Sequence, residues 1–325
     1  MTAIIFSDEV MNKRYTQLIR ATIDLSDTYF YAGRLTEAVQ LPEQILALMR
    51  EGDASEVDQT RLLLHYGKML SKMSFYRETR FERACEVLTK AQKMARDIGD
   101  QYLRGMAQLR LGQVVDYQAV FNGTGDFLIA LNHFERAYEL LVEANNPEGQ
   151  GKAAFNKGVI YQRLGQLDEA RIHFEEALEI AEKYDFKYDK SMAIRHIGFI
   201  YFAEGDYDKA CAYAQESLAL REEIGCLILL APAHHVLGSV SIARGEWAEA
   251  VAHLQQADAL AQEMDLKFIR IMALLSLGEW YKRQNDPEQA RENFQLAKEI
   301  AEETRHEVWR EAAEADLAQL EPVLS

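Results

Sequence analysis

The sequence predicts an all-α solenoid: about seven helix–turn–helix repeats and a C-terminal capping helix. Three observations carry this. A pattern of small and large residues returns every 40 residues without a gap in the second half of the chain. Self-similarity at a fixed period is the mark of a stacked repeat architecture. Within each copy, small residues stand where two helices must approach closely and large ones where the space between must be filled. Only five prolines are spread over 325 residues, so long helices are unbroken.

The clearest copy runs from Gly151 to Ala181, with Gly158, Tyr161, Gly165, Ala170, Phe174 and Ala177 as its markers. Gly165 ends the first helix, because a helix C-terminus commonly needs a left-handed residue. Asp168 and Glu169 suit the positive first turn of the second. Gly198 opens the same series with Tyr201, Gly205, Ala210, Ala214 and Ser217. Gly238 opens it with Ser241, Gly245, Ala250, Leu254 and Ala257, and Gly278 with Tyr281, Asn285, Ala290, Phe294 and Ala297. The order resembles the tetratricopeptide repeat, in a form longer than the usual period of about 34 residues. The resemblance implies a right-handed α-solenoid superhelix whose first helices line a concave, ligand-binding surface.

The whole chain, 1–325, reads as one solenoid with repeats at about 12–51, 57–96, 101–144, 148–184, 188–224, 228–264 and 268–303. A cap follows at 306–320, with Trp309, Ala313, Leu317 and Leu320 on one face and Glu307, Glu311 and Glu314 toward water. The first copy is degenerate, with Pro42 where an aromatic is expected, as suits a terminal repeat. In the second, Gly67 and Ala84 stand 17 apart instead of 12, an insertion near Ser71–Arg80. In the third, Gly112 and Ala130 stand 18 apart, an insertion around Gln118–Asp126 with Asn122–Gly125 as the turn signal. Both fall between the two helices of neighbouring repeats, so they are expected side by side on one rim. Pro147 and Pro287 fit the first turn of their helices.

Composition narrows the function. A hydrophobic fraction of 48% supports a continuous core. The apolar run Cys226–Ala233 is far short of a membrane span, and the N-terminus has no basic region before its short apolar patch, unlike a signal peptide. Three cysteines (Cys85, Cys211, Cys226) cannot pair fully, which points to reduced thiols and a cytoplasmic location. Thirty-six Lys and Arg against 52 Asp and Glu, a net charge of −16, argue against nucleic acid and anionic membrane as partners.

No catalytic constellation is legible, and the chain reads as a non-enzyme without cofactor or metal. The stretch Gly149–Ala153 lacks the upstream glycine and the Ser or Thr of a phosphate loop, and Gly123–Asp126 follows no strand. His234 and His235 are helical neighbours, about 100° apart, and share a metal poorly. No two cysteines have zinc-ligand spacing.

The first helices are where binding is expected. At about 100° per residue, offsets −6, −3, −2, +1, +4 and +5 from each marker glycine share one face. In repeats two to six these positions hold Arg61, Lys68, Lys72, Arg110, Lys152, Arg163 and Arg195 against one acid, Asp116. In repeat one they hold Asp24 and Asp27. The predicted groove is Lys68, Arg110, Lys152, Phe155, Asn156, Arg163, Arg195, His196, Phe199, Phe202 and His235. The resemblance implies an asparagine at Asn156 that grips peptide backbone. Arg and Lys would supply charge-assisted hydrogen bonds and the Phe residues apolar pockets, giving a module that binds an acidic or carboxylate-bearing peptide. The plainer reading is that these bases balance acidic second helices of neighbouring repeats. The alternative function is a regulatory sensor. Repeats of this length resemble the sensing part of maltose-system-type activators and peptide-pheromone receptors, though no DNA-binding or nucleotide-binding domain is recognisable here. A self-associating homo-oligomeric scaffold is the third reading.

Overall fold

In the computed structural model, residues 8–50, 52–77, 81–123 and 125–320 are described. The N-terminal apolar patch (residues 3–6) and parts of both insertions (residues 78–80 and 124) lie outside them. Among the described residues there are fifteen α-helices and no strand. Seven antiparallel pairs follow one another: α1 (Asp8–Tyr31) and α2 (Leu35–Leu48), α3 (Glu56–Tyr76) and α4 (Glu82–Ile98), α5 (Gln101–Asn122) and α6 (Phe127–Glu143), α7 (Pro147–Arg163) and α8 (Leu167–Lys183). Then come α9 (Lys187–Ala203) and α10 (Tyr207–Glu223), α11 (Leu230–Arg244) and α12 (Trp247–Glu263), α13 (Lys267–Arg283) and α14 (Pro287–Thr304), and the single α15 (Glu307–Leu320). A 3₁₀ turn, Leu227–Leu229, precedes α11. Each helix packs mainly on the next in the chain, the one-dimensional order of a solenoid.

The marker residues do what their sizes require. A Cβ on Gly158 would come within 2.7 Å of the Phe174 ring, so the bare backbone is what lets α7 lie against α8. Phe174, Phe294 and the marker alanines at 170, 177, 290 and 297 are buried. Pro147 and Pro287 open α7 and α14 behind the capping side chains of Asn146 and Asp286. Pro42 sits inside α2 and is buried.

The described parts of the two insertions are mostly helix: residues 71–76 belong to α3 and 118–122 to α5. They lengthen α3 to 21 residues and α5 to 22, against 17 in α7, α9 and α13. They do lie side by side, with the Phe75 and Phe121 rings 5.2 Å apart. The added turns reach across the superhelix. Phe268 on α13 stands 5.3 Å from Phe75 and 4.8 Å from Phe121, and His306, just before α15, stands 5.1 Å from Phe121. Edge-to-face pairs of this kind add about 0.5–1.5 kcal/mol each beyond their buried area.

Polar contacts extend the same seam. Arg77 pairs with Asp265 at 3.2 Å and donates to the Thr36 hydroxyl at 2.7 Å. Gly33, at φ +77°, lies so close to Met264 that a Cβ would meet its sulfur at 2.5 Å. The solenoid therefore turns back on itself, its second and third repeats against the seventh. The face predicted as an open groove is an interior.

The cap forms as expected, with Ala313 buried and Trp309 packed on Phe268 at 5.6 Å. Glu314 departs from expectation: it is half-buried and paired with Lys298 at 3.1 Å and Arg310 at 2.7 Å. The segment Leu227–Arg244 is apolar enough by composition to cross a membrane; here α11 is packed against α10, α12 and α13.

Candidate functional site

Every predicted groove residue lines the interior, but they divide between two cavities and a side chamber. Lys68 (α3), Arg110 (α5) and Lys152 (α7) share a cavity of about 240 Å³ with Asp27, His65 and Glu148. Phe155, Asn156 and Arg163 (α7), Arg195 and His196 (α9) and His235 (α11) share a second cavity of about 240 Å³. Phe199 and Phe202 open a chamber of about 490 Å³ that continues it past Arg195.

The first cavity is charge-balanced. Lys68 meets Asp27 at 2.5 Å. Lys152 pairs with Glu148 and lies 3.7 Å from Asp189. Arg61 pairs with Asp58 at 3.3 Å. Burial alone would raise the Asp27 carboxyl, but Lys68 beside it leaves it below its usual range. Burial pushes the Lys68 ammonium down to about 8 and the His65 imidazole to about 3. Arg110 has no ion pair among the described residues and donates to Gln113 at 3.0 Å.

Here the sign-reversed face needs correcting. Four of its seven bases, Arg61, Lys68, Lys152 and Arg163, have carboxylate partners within the chain, but not the ones the plainer reading named. Those acids come from first helices, not from neighbouring second helices. Glu148 stands ten residues before Gly158, about 80° round the helix and so on the same face. It lies one turn outside the six offsets that were compared.

The second cavity is not balanced. Lys72, Arg163, Arg195 and Arg221 line it against a single carboxylate, Asp116. Asp116 is taken by Arg163, whose Nε lies 2.6 Å and Nη2 3.1 Å from its two oxygens. Burial raises the Asp116 carboxyl above its usual range although Arg163 opposes this. Among the described residues Lys72 donates only to the Tyr117 hydroxyl, at 3.1 Å. Arg195 donates to His196 Nε2. His196 Nδ1 lies 2.7 Å from Gln162 Oε1, a pattern that the neutral Nδ1–H tautomer satisfies. Burial holds His196 well below its usual range and His235 near 4, so neither adds charge at neutral pH. Burial pushes Arg195 down to about 9, which still leaves it cationic at pH 7.

Two predicted roles shift. The Asn156 amide is turned to its own helix, Nδ2 donating to the Lys152 carbonyl at 2.6 Å, and is largely satisfied without a peptide. His196 packs between Phe155 and Phe174, with ring centroids 5.0 and 4.9 Å away, as much core as surface. Phe199 remains 42% exposed and Phe202 meets Tyr207.

Arg221, on α10, is the residue sequence reasoning missed, because only first helices were compared. A signal was there. The same register holds Ala181, Ala261 and Ala301 in other repeats, all buried, and an arginine in an alanine register is an anomaly.

Residues 99–268, over half of the chain, match the family model described as the MalT-like TPR region, and 272–300 match the tetratricopeptide repeat. The chain belongs to the MalT-like tetratricopeptide-repeat family. No curated protein sequence matches. Among solved structures, NprR in complex with its cognate peptide NprX is 16% identical, covers 93% of this chain and 82% of its own, and gives a TM-score of 0.60. Aspartyl phosphate phosphatase F from Bacillus subtilis is 14% identical over 100% of this chain and 97% of its own, at 0.52. A signal-transduction ATPase of the STAND type with a tetratricopeptide-repeat sensor, from Pyrococcus horikoshii, is 16% identical over 91% of this chain at 0.53. The chain spans 46% of that protein's length. At these identities the likeness establishes the shared fold.

Proposed function

We propose that this chain is a non-catalytic peptide-sensing module that takes an acidic or carboxylate-bearing segment of a protein or peptide into its interior. The observation that carries this is the second cavity, where four cations face one carboxylate in a protein of net charge −16. Unpaired buried cations are costly without a counter-ion, and charge-assisted hydrogen bonds to an arriving carboxylate are strong. The structural likeness to NprR, solved in complex with its cognate peptide NprX, supports the same reading. The regulatory form of it gains support from the closed seam between α3, α5, α13 and α15. A ligand held inside touches both ends of the superhelix and so can bias its curvature. We place the protein in the cytoplasm, on its three free cysteines, with neither nucleic acid nor membrane as a partner.

A peptide array probed with the full chain tests this. Acidic peptides are expected to be captured, and Arg163→Glu with Arg195→Glu is expected to lower capture by more than about tenfold, as reversal of a buried charge contact does. Unchanged capture by that double variant would overturn the assignment.

A further inference from the structure

The cationic cavity contains a donor that the chain leaves unused. Arg221 is 1% exposed. Its Nη1 donates to the Leu229 carbonyl at 3.2 Å and its Nη2 lies 3.8 Å from Met192 Sδ. Among the described residues its Nε has no hydrogen-bond partner. Among the described residues no carboxylate is within ion-pair distance of Arg221 or of Arg195, which lines the same cavity. A buried guanidinium in a register that holds alanine elsewhere is not what packing alone selects, since an uncompensated buried charge destabilises the fold.

We propose that Arg221 and Arg195 together seat one carboxylate, whose attached apolar group fills the adjoining chamber beside Phe199, Phe202 and Val236. The proposal rests on the interior being a ligand-binding surface and specifies what it reads: a hydrophobic group ending in a free acid. A carboxylate fits better than a phosphate. Arg221 presents one nitrogen, Nε, without a hydrogen-bond partner among the described residues, and Arg195 lines the same cavity. The walls beyond the guanidiniums are aromatic and aliphatic, which suits an apolar body. Two sources offer this chemistry, the last residue of a peptide and a small branched acid.

Thermal unfolding and calorimetry of the full chain with N-acetyl-leucine and N-acetyl-leucinamide test the seat. The acid is expected to raise the melting temperature with concentration, and the amide to leave it unchanged. Arg221→Met and Arg195→Gln, each checked by circular dichroism, are expected to weaken the acid by at least about tenfold, the scale of a lost charge-assisted pair. The exposed Arg83→Gln is expected to change nothing. Should Arg221→Met fail to fold, Arg195→Gln carries the test alone. An equal response to acid and amide, no response to the acid, or a response that survives both substitutions overturns the seat. Inorganic phosphate competing as well as N-acetyl-leucine also overturns it.

Paired peptides with free and amidated C-termini separate the sources. Capture lost on amidation assigns the seat to a peptide terminus. Capture indifferent to amidation overturns the seat and leaves the peptide reading standing. N-acetyl-leucine binding with no peptide captured keeps the seat, assigns it to a small acid and overturns the peptide reading.

Discussion

Two cavities of about 240 Å³ each lie within one superhelix, both lined mainly from first helices, with Arg221 of α10 added to the second. Around the cavity of Lys68, Arg110 and Lys152, the carboxylates Asp27, Asp58, Glu148 and Asp189 stand against four cations counting Arg61, and among the described residues only Arg110 of these is outside an ion pair. In the cavity of Arg163, Arg195 and Arg221, one carboxylate serves four cations. A count of basic residues along a helix face cannot separate these cases. What separates them is whether the counter-charge is supplied by the chain. The first cavity is internally neutralised and contributes to structure. The second is left incomplete by the chain, and the proposed ligand seat rests on that difference.

The largest expected effect comes from the wall that encloses the second cavity. Phe268 touches Phe75, Phe121, His306 and Trp309 and is buried. Phe268→Ala is expected to cost about 3–5 kcal/mol. It should also open the seam, seen as a larger radius of gyration in solution scattering and faster amide exchange at the C-terminal turns of α3 and α5. The first cavity, which Phe268 does not line, should keep its protection. Uniform loss of protection would show that the seam is not a separate closure.

Opposite signs are expected from removing one cation from each cavity. Lys68→Met leaves Asp27 without its partner and should destabilise by about 2 kcal/mol, since breaking one half of a partly buried pair strands the other. Arg221→Met removes a charge that has no partner, and despite freeing the Leu229 carbonyl it should stabilise the unliganded protein by about 1 kcal/mol, as is common where binding sites hold strain. Urea denaturation midpoints measure both. Two losses of similar size would erase the distinction between the cavities.

A smaller effect is shared by both. His65 lines the first cavity and His235 the second, with burial holding their folded values near 3 and 4. Both are neutral when folded at neutral pH, whereas the unfolded chain takes up protons near 6.5. A depressed histidine therefore costs nothing above that value, and stability falls as pH drops from there toward 4. Between pH 7 and pH 6 the loss is about 0.7 kcal/mol for each histidine. His65→Gln and His235→Gln should each flatten the slope by that amount, and an unchanged slope would show that neither titrates on unfolding.

Much of the fold was legible because the period repeats what the physics repeats: Gly158 against Phe174, Ala170 and Ala177 in the crossing, left-handed turns at Gly165 and Gly205. The closure was not. Phe75 and Phe121 meet Phe268 across well over 100 positions in the chain, and a local period carries no record of such contacts. The extra residues of α3 and α5 therefore read as loops. In the site, the cationic positions all face inward as expected, yet Glu148 and Asp189 fell outside the compared offsets. Arg221 fell outside because it sits on a second helix, although its contrast with Ala181, Ala261 and Ala301 was visible.

The most direct test of the central contrast is the arginine Nε–Hε spectrum of the isotopically labelled chain, assigned with Arg221→Met and titrated with N-acetyl-leucine. The Arg221 signal should shift on addition of the acid and stay put on addition of the amide, while the exposed Arg83 and Arg136 signals move with neither. An Arg221 signal indifferent to the acid would contradict the claim that this guanidinium awaits a carboxylate.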